Sequence, residues 1–169
     1  MWSSTQYAEK SAPSDQKTMD VFITNIDTLQ YTETGEKKYH LTAPKIKHYF
    51  EDASAKVEQP IFDIYTTNGE PWQVTSDLAL IIDDGEQIDL IDNVQISGLH
   101  TTTHKNTKLT TSKATYYPST NTADTDSDVT ISQPGTNIDA TGMEAFFNDG
   151  NIKLLSNVKG SYNPDVKPD

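Results

Sequence analysis

The chain has 169 residues, 34% of them hydrophobic, and a formal net charge of −12. That length suits one domain, or one domain with tails. The charge disfavours nucleic-acid phosphates and a simple electrostatic grip on an anionic membrane. The absence of cysteine excludes disulfides and thiol chemistry, and no run approaches the roughly 18–20 apolar residues of a membrane span. The apolar share lies below the roughly 45–50% of a compact globule, glycine included, which fits an extended all-β body.

Residues 1–18 are polar, with Ser3, Ser4, Gln6, Glu9, Lys10 and Pro13 among them. They are expected to form a flexible arm or tether. Order is expected from residue 19. Asp20-Val21-Phe22-Ile23-Thr24 leads to Leu29-Gln30-Tyr31, a turn follows at Glu33-Thr34-Gly35-Glu36, and the chain returns through Tyr39-His40-Leu41. Apolar residues spaced by two around a glycine turn predict a hairpin, not a helix.

From Leu41 onward the chain repeats its plan. Segments opening at Leu41, Val74, Leu109 and Ile138 share one frame. Two residues after each opener stands a small residue: Ala43, Ser76, Thr111 and Ala140. Five after it come Ile46, Ala79, Ala114 and Met143; eight after it, Tyr49, Ile82, Tyr117 and Phe146. Twenty after it come Ile61, Val94, Val129 and Val158, each opening a short strand. Four copies in one register predict a repeat architecture.

Turns are expected near Glu51-Asp52-Ala53-Ser54, Asp83-Asp84-Gly85, Pro118-Ser119-Thr120-Asn121 and Asn148-Asp149-Gly150, where Asp-Gly is a hairpin signal. The strand at residues 122–128 is poor in apolar residues. Most apolar positions fall at even offsets from the opener, which places them on one strand face. Offset five breaks that parity, so a bulge or bend is expected just before it. One unit cannot bury its apolar face alone, but stacked units with opposed sheets can. Residues 19–162 are thus expected to form one all-β domain, with a frayed tail at 163–169. Its natural edges lie near Val21 and Ile23 and near Val158 and Tyr162, where unpaired backbone groups need cover or serve as docking sites.

The chemistry-bearing residues point away from catalysis. His100 and His104 are spaced as in a helical metal pair, but the threonines between them make a poor helix, so an exposed loop is the simpler reading. Asp83-Asp84-Gly85-Glu86 lacks the ligand order of a calcium loop, and the acids at residues 124–128 read as a polar strand or turn. No metal site or cofactor is assigned. The carboxylates cluster in turns, and no nucleophile elbow, phosphate loop or dinucleotide fingerprint is present. Trp72, after Pro71, is either core or the rim of an entrance.

Several short stretches resemble the LptC type of lipopolysaccharide-export protein. They are residues 26–31, Tyr39-His40-Leu41-Thr42-Ala43, His48-Tyr49 with Gln59-Pro60, and Pro71-Trp72-Gln73-Val74-Thr75-Ser76. Leu109-Thr110-Thr111 and the region from Gly135 to Tyr162 complete the set. The repeat itself is similar to the wider group of lipopolysaccharide-transport β-jellyrolls, which includes the LptA bridge proteins. The resemblance implies a twisted antiparallel jellyroll in the periplasm, open at its ends, whose apolar trough carries the acyl chains of lipopolysaccharide.

The same resemblance implies that lipid is taken from an inner-membrane ABC transporter at the N-terminal edge. It is then passed to an LptA-type jellyroll at the C-terminal edge. It implies lipid contacts at Ile26, Val57, Ile152 and Tyr162 and a partner contact at Gly135; the repeat frame adds Tyr49, Ile82 and Phe146 as further trough wall, and the edge strands add Val21, Ile23, Val158 and Tyr162 as partner contacts. A homodimer is also admitted. The family's N-terminal membrane helix is missing here, so a soluble fragment of an anchored protein is expected. Acyl chains of about 12–14 carbons gain roughly 0.8 kcal/mol per buried CH₂, which can outweigh unfavourable charge at the headgroup. Reversible transfer calls for an open trough. Three rival readings remain: the LptA-like bridge protein itself, a structural or adhesive β-repeat without cargo, and a carbohydrate-acting enzyme, which needs converging carboxylates.

Overall fold

The computed structural model describes residues 20–67, 69–100 and 105–165. The arm expected over residues 1–18 and the His100–His104 pair therefore lie outside what can be described. The described residues form eleven strands: β1 (Val21–Tyr31), β2 (Lys37–Tyr49), β3 (Ser54–Glu58), β4 (Ile61–Thr66), β5 (Gly69–Thr75) and β6 (Leu78–Ile82). Then come β7 (Gln87–His100), β8 (Lys105–Tyr117), β9 (Thr122–Gln133), β10 (Thr136–Phe146) and β11 (Asn151–Tyr162). The hairpin expected around Gly35 is β1–β2, with Gly35 at φ 84. The stretch at residues 122–128, poor in apolar residues, is part of β9 and buries Ala123 and Thr125.

All pairings are antiparallel, and two ordered layers emerge from the register. In one layer, the later half of β1, the early half of β2, β4, β5 and the later halves of β7, β9 and β11 pair in succession with the early halves of β8 and β10. In the other, β3 and β6 take the places of β4 and β5. The long strands run through both layers and bend where the layers meet.

The bend falls where the broken parity predicted it. Register shifts lie between Thr111 and Thr115, between Thr141 and Met143, and between Ile91 and Val94. Positive φ angles mark the same crease at Asn25, Gln59, Asp92, Asn93, Gly142 and Asn157. Its backbone is satisfied locally: the Gln59 amide donates to Asp77 O at 2.9 Å, and the Asp77 amide to Asp92 O at 2.9 Å. Thr111 Oγ1 donates to Asp128 O at 2.9 Å. The small residues at offset two sit just inside the crease, where all four are buried.

Between the layers lies one apolar core, with Val57, Ile64, Ala79, Ile88, Val94, Leu109 and Met143 at 0% exposure. Two details of the repeat frame need correction. After the crease the inward face moves to odd offsets: Ala79, Ala114 and Met143 at five, Tyr116 and Ala145 at seven, all buried. Tyr49, Ile82 and Phe146, at offset eight, stand on the outward register and not on the face of the openers. The chain spends three residues, not two, between offsets two and five, and that flips the parity.

The first unit is also one residue shorter. Leu41 pairs with Phe62, whereas Val74, Leu109 and Ile138 pair with the residue twenty-two further on: Ile96, Ile131 and Gly160. The first unit turns its corner on Gln59 alone, while the second uses both Asp92 and Asn93. Phe62 is therefore the inward residue, at 1% exposure, and Ile61 stays 40% exposed.

Candidate functional site

The two ends of the sandwich differ from its middle. Nine large hydrophobic residues are exposed among the described ones, and six of them lie on the terminal strands: Phe22, Ile23 and Tyr31 on β1, Leu155, Val158 and Tyr162 on β11. Each terminal strand pairs on one side, β1 with β2 and β11 with β10. The ends thus combine a free ladder of backbone groups with uncovered apolar side chains.

The register shows which of these face the interior. On β1, Val21 and Ile23 lie opposite His48 and Ile46, and Ile26 opposite the buried Ala43. These three share the core-facing side; Phe22 faces outward, with the Lys45 ammonium 5.7 Å from its ring centre. On β11, Ile152 and Leu154 lie opposite the buried Ala145 and Met143 and are half-buried. Tyr162 lies opposite Thr136, in the inward alternation of Ile138 and Ala140, and Val158 shares it. Val158 is 54% and Tyr162 74% exposed, because among the described residues no further strand covers the inner face beyond β11. Gly135 shapes the β9–β10 turn at φ 74, and its carbonyl accepts the Asn163 amide at 2.8 Å.

The middle is filled. Val57 is wholly buried. Phe147, just beyond β10, is 3% exposed and lies edge-on to Trp72 of the first layer and to Tyr116 of the second, both at 5.8 Å. Trp72 is thus core, and its ring lies over Gly98: a Cβ there would stand 2.6 Å from it.

Asn121 ties the rim together. Its side-chain amide donates to Tyr65 O at 3.2 Å and to Asn148 Oδ1 at 2.7 Å, and its Oδ1 accepts the Tyr116 hydroxyl at 3.0 Å. Its carbonyl accepts the Phe147 amide at 3.1 Å. Burial, with the nearby Tyr39 phenol second, pushes the Tyr116 phenol above its usual range. Beside Phe147 lies a narrow apolar gap bounded also by Trp72, Ile96, Leu109, Ala145, Phe146, Asn151 and Ile152, with no part wide enough for a water molecule. Sequence reasoning missed Asn121 and Phe147, since one reads as a turn residue and the other falls outside the repeat frame.

Charged groups stand on the outer faces. His40 Nε2 lies 2.7 Å from Asp27 Oδ1, and Nδ1 lies 3.6 Å from Asp63 Oδ2. The hydrogen bond to Asp27 raises the imidazole above its ordinary pKa, the charges of both aspartates adding to it against slight desolvation. Burial raises the Asp124 carboxyl, helped by the charges of Asp126, Glu144 and Asp89. The Asp83-Asp84-Gly85 segment is a short 3-10 turn with both aspartates at positive φ.

These features define an open-ended antiparallel β-jellyroll with apolar side chains uncovered at both ends. The chain belongs to the LptC-related lipopolysaccharide-assembly family, whose family model matches residues 1–163. It is similar to the crystal structure of LptH, the LptA-homologous periplasmic component of the conserved lipopolysaccharide transport device from Pseudomonas aeruginosa. The TM-score is 0.59 at 8% identity, covering 75% of this chain and 95% of that one. At that identity the likeness carries the fold alone, and it agrees with the expected jellyroll. No curated protein matches the chain. The family places its role in lipopolysaccharide transport. No helix among the described residues is long and apolar enough to cross a membrane.

Proposed function

We propose that this chain is a periplasmic, non-catalytic carrier that holds the acyl chains of lipopolysaccharide between its layers and hands them along a bridge of jellyrolls. Its β1 edge receives the lipid from an inner-membrane ABC transporter, and its β11 edge meets an LptA-type partner. An N-terminal membrane helix anchors the full-length protein. The observation that carries this reading is the inward-facing apolar register left open at both ends: Val21, Ile23 and Ile26 at one, Ile152, Val158 and Tyr162 at the other. Covering such side chains with acyl methylenes is favourable at roughly 25 cal/mol per Å² of apolar surface removed from water. Incomplete enclosure keeps binding modest and reversible. Val57 belongs to the same inward face and meets lipid only when the layers part.

Photo-crosslinkers at Ile26, Ile152 and Tyr162 should trap lipopolysaccharide in a saturable manner. If none of them does, while the protein is folded and exposed to lipid in the presence of its transporter, the carrier reading fails. The filled middle of the core favours a second reading, an assembly module without cargo. That reading predicts protein crosslinks at both edges and no lipid adduct at any inward position.

A further inference from the structure

The rim opposite the crease is bridged at the β8–β9 turn. Tyr65 stands near the rim end of β4 in the first layer, while Asn121 and Asn148 stand in the β8–β9 and β10–β11 turns of the second. Asn121 therefore joins the two layers, through Tyr65 O, and also joins the two turns, through Asn148. Directly inside this polar link sits Phe147, wedged between Trp72 and Tyr116 with the apolar gap beside it.

We propose that Asn121 and Phe147 form a gate: the Asn121 amide latches the rim, and Phe147 is a plug that leaves the interior when an apolar chain enters. This rests on the carrier reading and names the place where it acts.

Three observations separate a gate from ordinary core. First, the repeat does not require a plug. Phe50 occupies the same offset in the first unit and is 67% exposed. Second, Phe147 belongs to no strand. It begins the turn closed by the Gly150 amide on Phe147 O at 3.2 Å, and that turn connects β10 to the exposed edge strand β11. Moving it breaks no interior ladder. Third, the backbone at Asn121, φ 55, would be served by glycine, yet the side chain makes three hydrogen bonds, one of them across the rim to Tyr65 O. Behind the plug, the gap reaches Ile152, the inward residue that begins the open face of β11. A displaced Phe147 would join the two into one apolar channel.

The test uses Asn121→Gly, which keeps the backbone conformation and removes the latch, and Phe147→Leu, which keeps an apolar filling but shortens the plug. Amide exchange at Phe147, relative to Leu90 in the core, reports rim opening. Lipopolysaccharide trapping by a photo-crosslinker at Ile152 reports loading. Asn121→Gly should raise Phe147 exchange selectively, about fivefold for each net hydrogen bond lost, and both variants should load lipid faster than wild type. Phe147 exchange that rises no more than Leu90 exchange overturns the gate. So does selective opening without faster loading in a protein whose wild type loads. Selective opening with no loading in any version leaves the latch standing and overturns the carrier reading instead.

Discussion

Gly98→Ala tests the packing that holds the middle of the sandwich shut. Gly98 lies on β7 opposite Thr107 of β8, and its missing side chain is the space that the Trp72 ring fills. An added Cβ would meet three ring atoms at 2.6, 2.6 and 2.8 Å. The indole is rigid and cannot bend away as the tip of a lysine would. To make room it must shift within a packed core that includes Phe147, 5.8 Å away between ring centres. Overpacking of this kind costs about 1–3 kcal/mol. Replacing a strand glycine returns about 0.5–1 kcal/mol through the unfolded chain. The net effect is a loss of roughly 0–2.5 kcal/mol, about 1 at mid-range.

For a chain of this size each kcal/mol lowers Tm by about 2–4 °C. Thermal unfolding followed by circular dichroism measures the loss. The Trp72→Phe and Gly98→Ala double variant supplies the control, because a smaller ring should accept the methyl group and the two changes should not add. A higher Tm in Gly98→Ala, or simple additivity in the double variant, would refute the close-packing argument.

Other consequences follow from the same structure. Leu90→Ala should cost about 2–5 kcal/mol because its side chain is buried in the core, whereas Leu155→Ala, on a half-exposed edge position, should cost well under half of that in the same denaturant titration. An NMR titration should place the His40 imidazole above 6.5, and Asp27→Asn should bring it back towards that value. Because the folded pKa is raised, the stabilisation from the His40–Asp27 pair is fully present below about 6.5 and is lost as pH rises through the folded value. The opposite slope in wild type, or the same slope in His40→Gln, would count against the pair. Asp124→Asn should raise Tm at neutral pH, where the crowded carboxylate is charged, and the gain should vanish in acid once the carboxyl is protonated.

The repeat made the architecture legible. The small residues Ala43, Ser76, Thr111 and Ala140 mark the crease in all four units, and the parity break at offset five announced the bend. Carrying the even parity past that bend misplaced Tyr49, Ile82 and Phe146, although the bend itself implied that they turn outward. The one-residue shortening before Phe62 was hidden because Ile61 is also apolar and sits in the expected frame. Val21, Ile23 and Tyr162 were recognisable as edge positions, since the first and last strands of an open stack have no further neighbour. The rim was not legible. Phe50 and Phe147 have the same offset and the same side chain, yet one is exposed and the other buried. Only the presence of Trp72 and Tyr116 on opposing layers separates them, and that is a long-range fact. Asn121 was likewise explained fully by its turn until the structure set Tyr65 and Asn148 beside it.

The central claim is that lipid runs along the inward register, and β11 offers the most direct measurement. A photo-crosslinker placed in turn at each position from 151 to 162 would read that register in the presence of transporter and lipopolysaccharide. The carrier account predicts alternation before the crease at Asn157, with adducts at Ile152 and Leu154 and none at Lys153 and Leu155. Beyond the crease the adducts should resume at Val158, Gly160 and Tyr162. Lipid adducts spread evenly over both faces, or found only at Lys153 and Leu155, would contradict it.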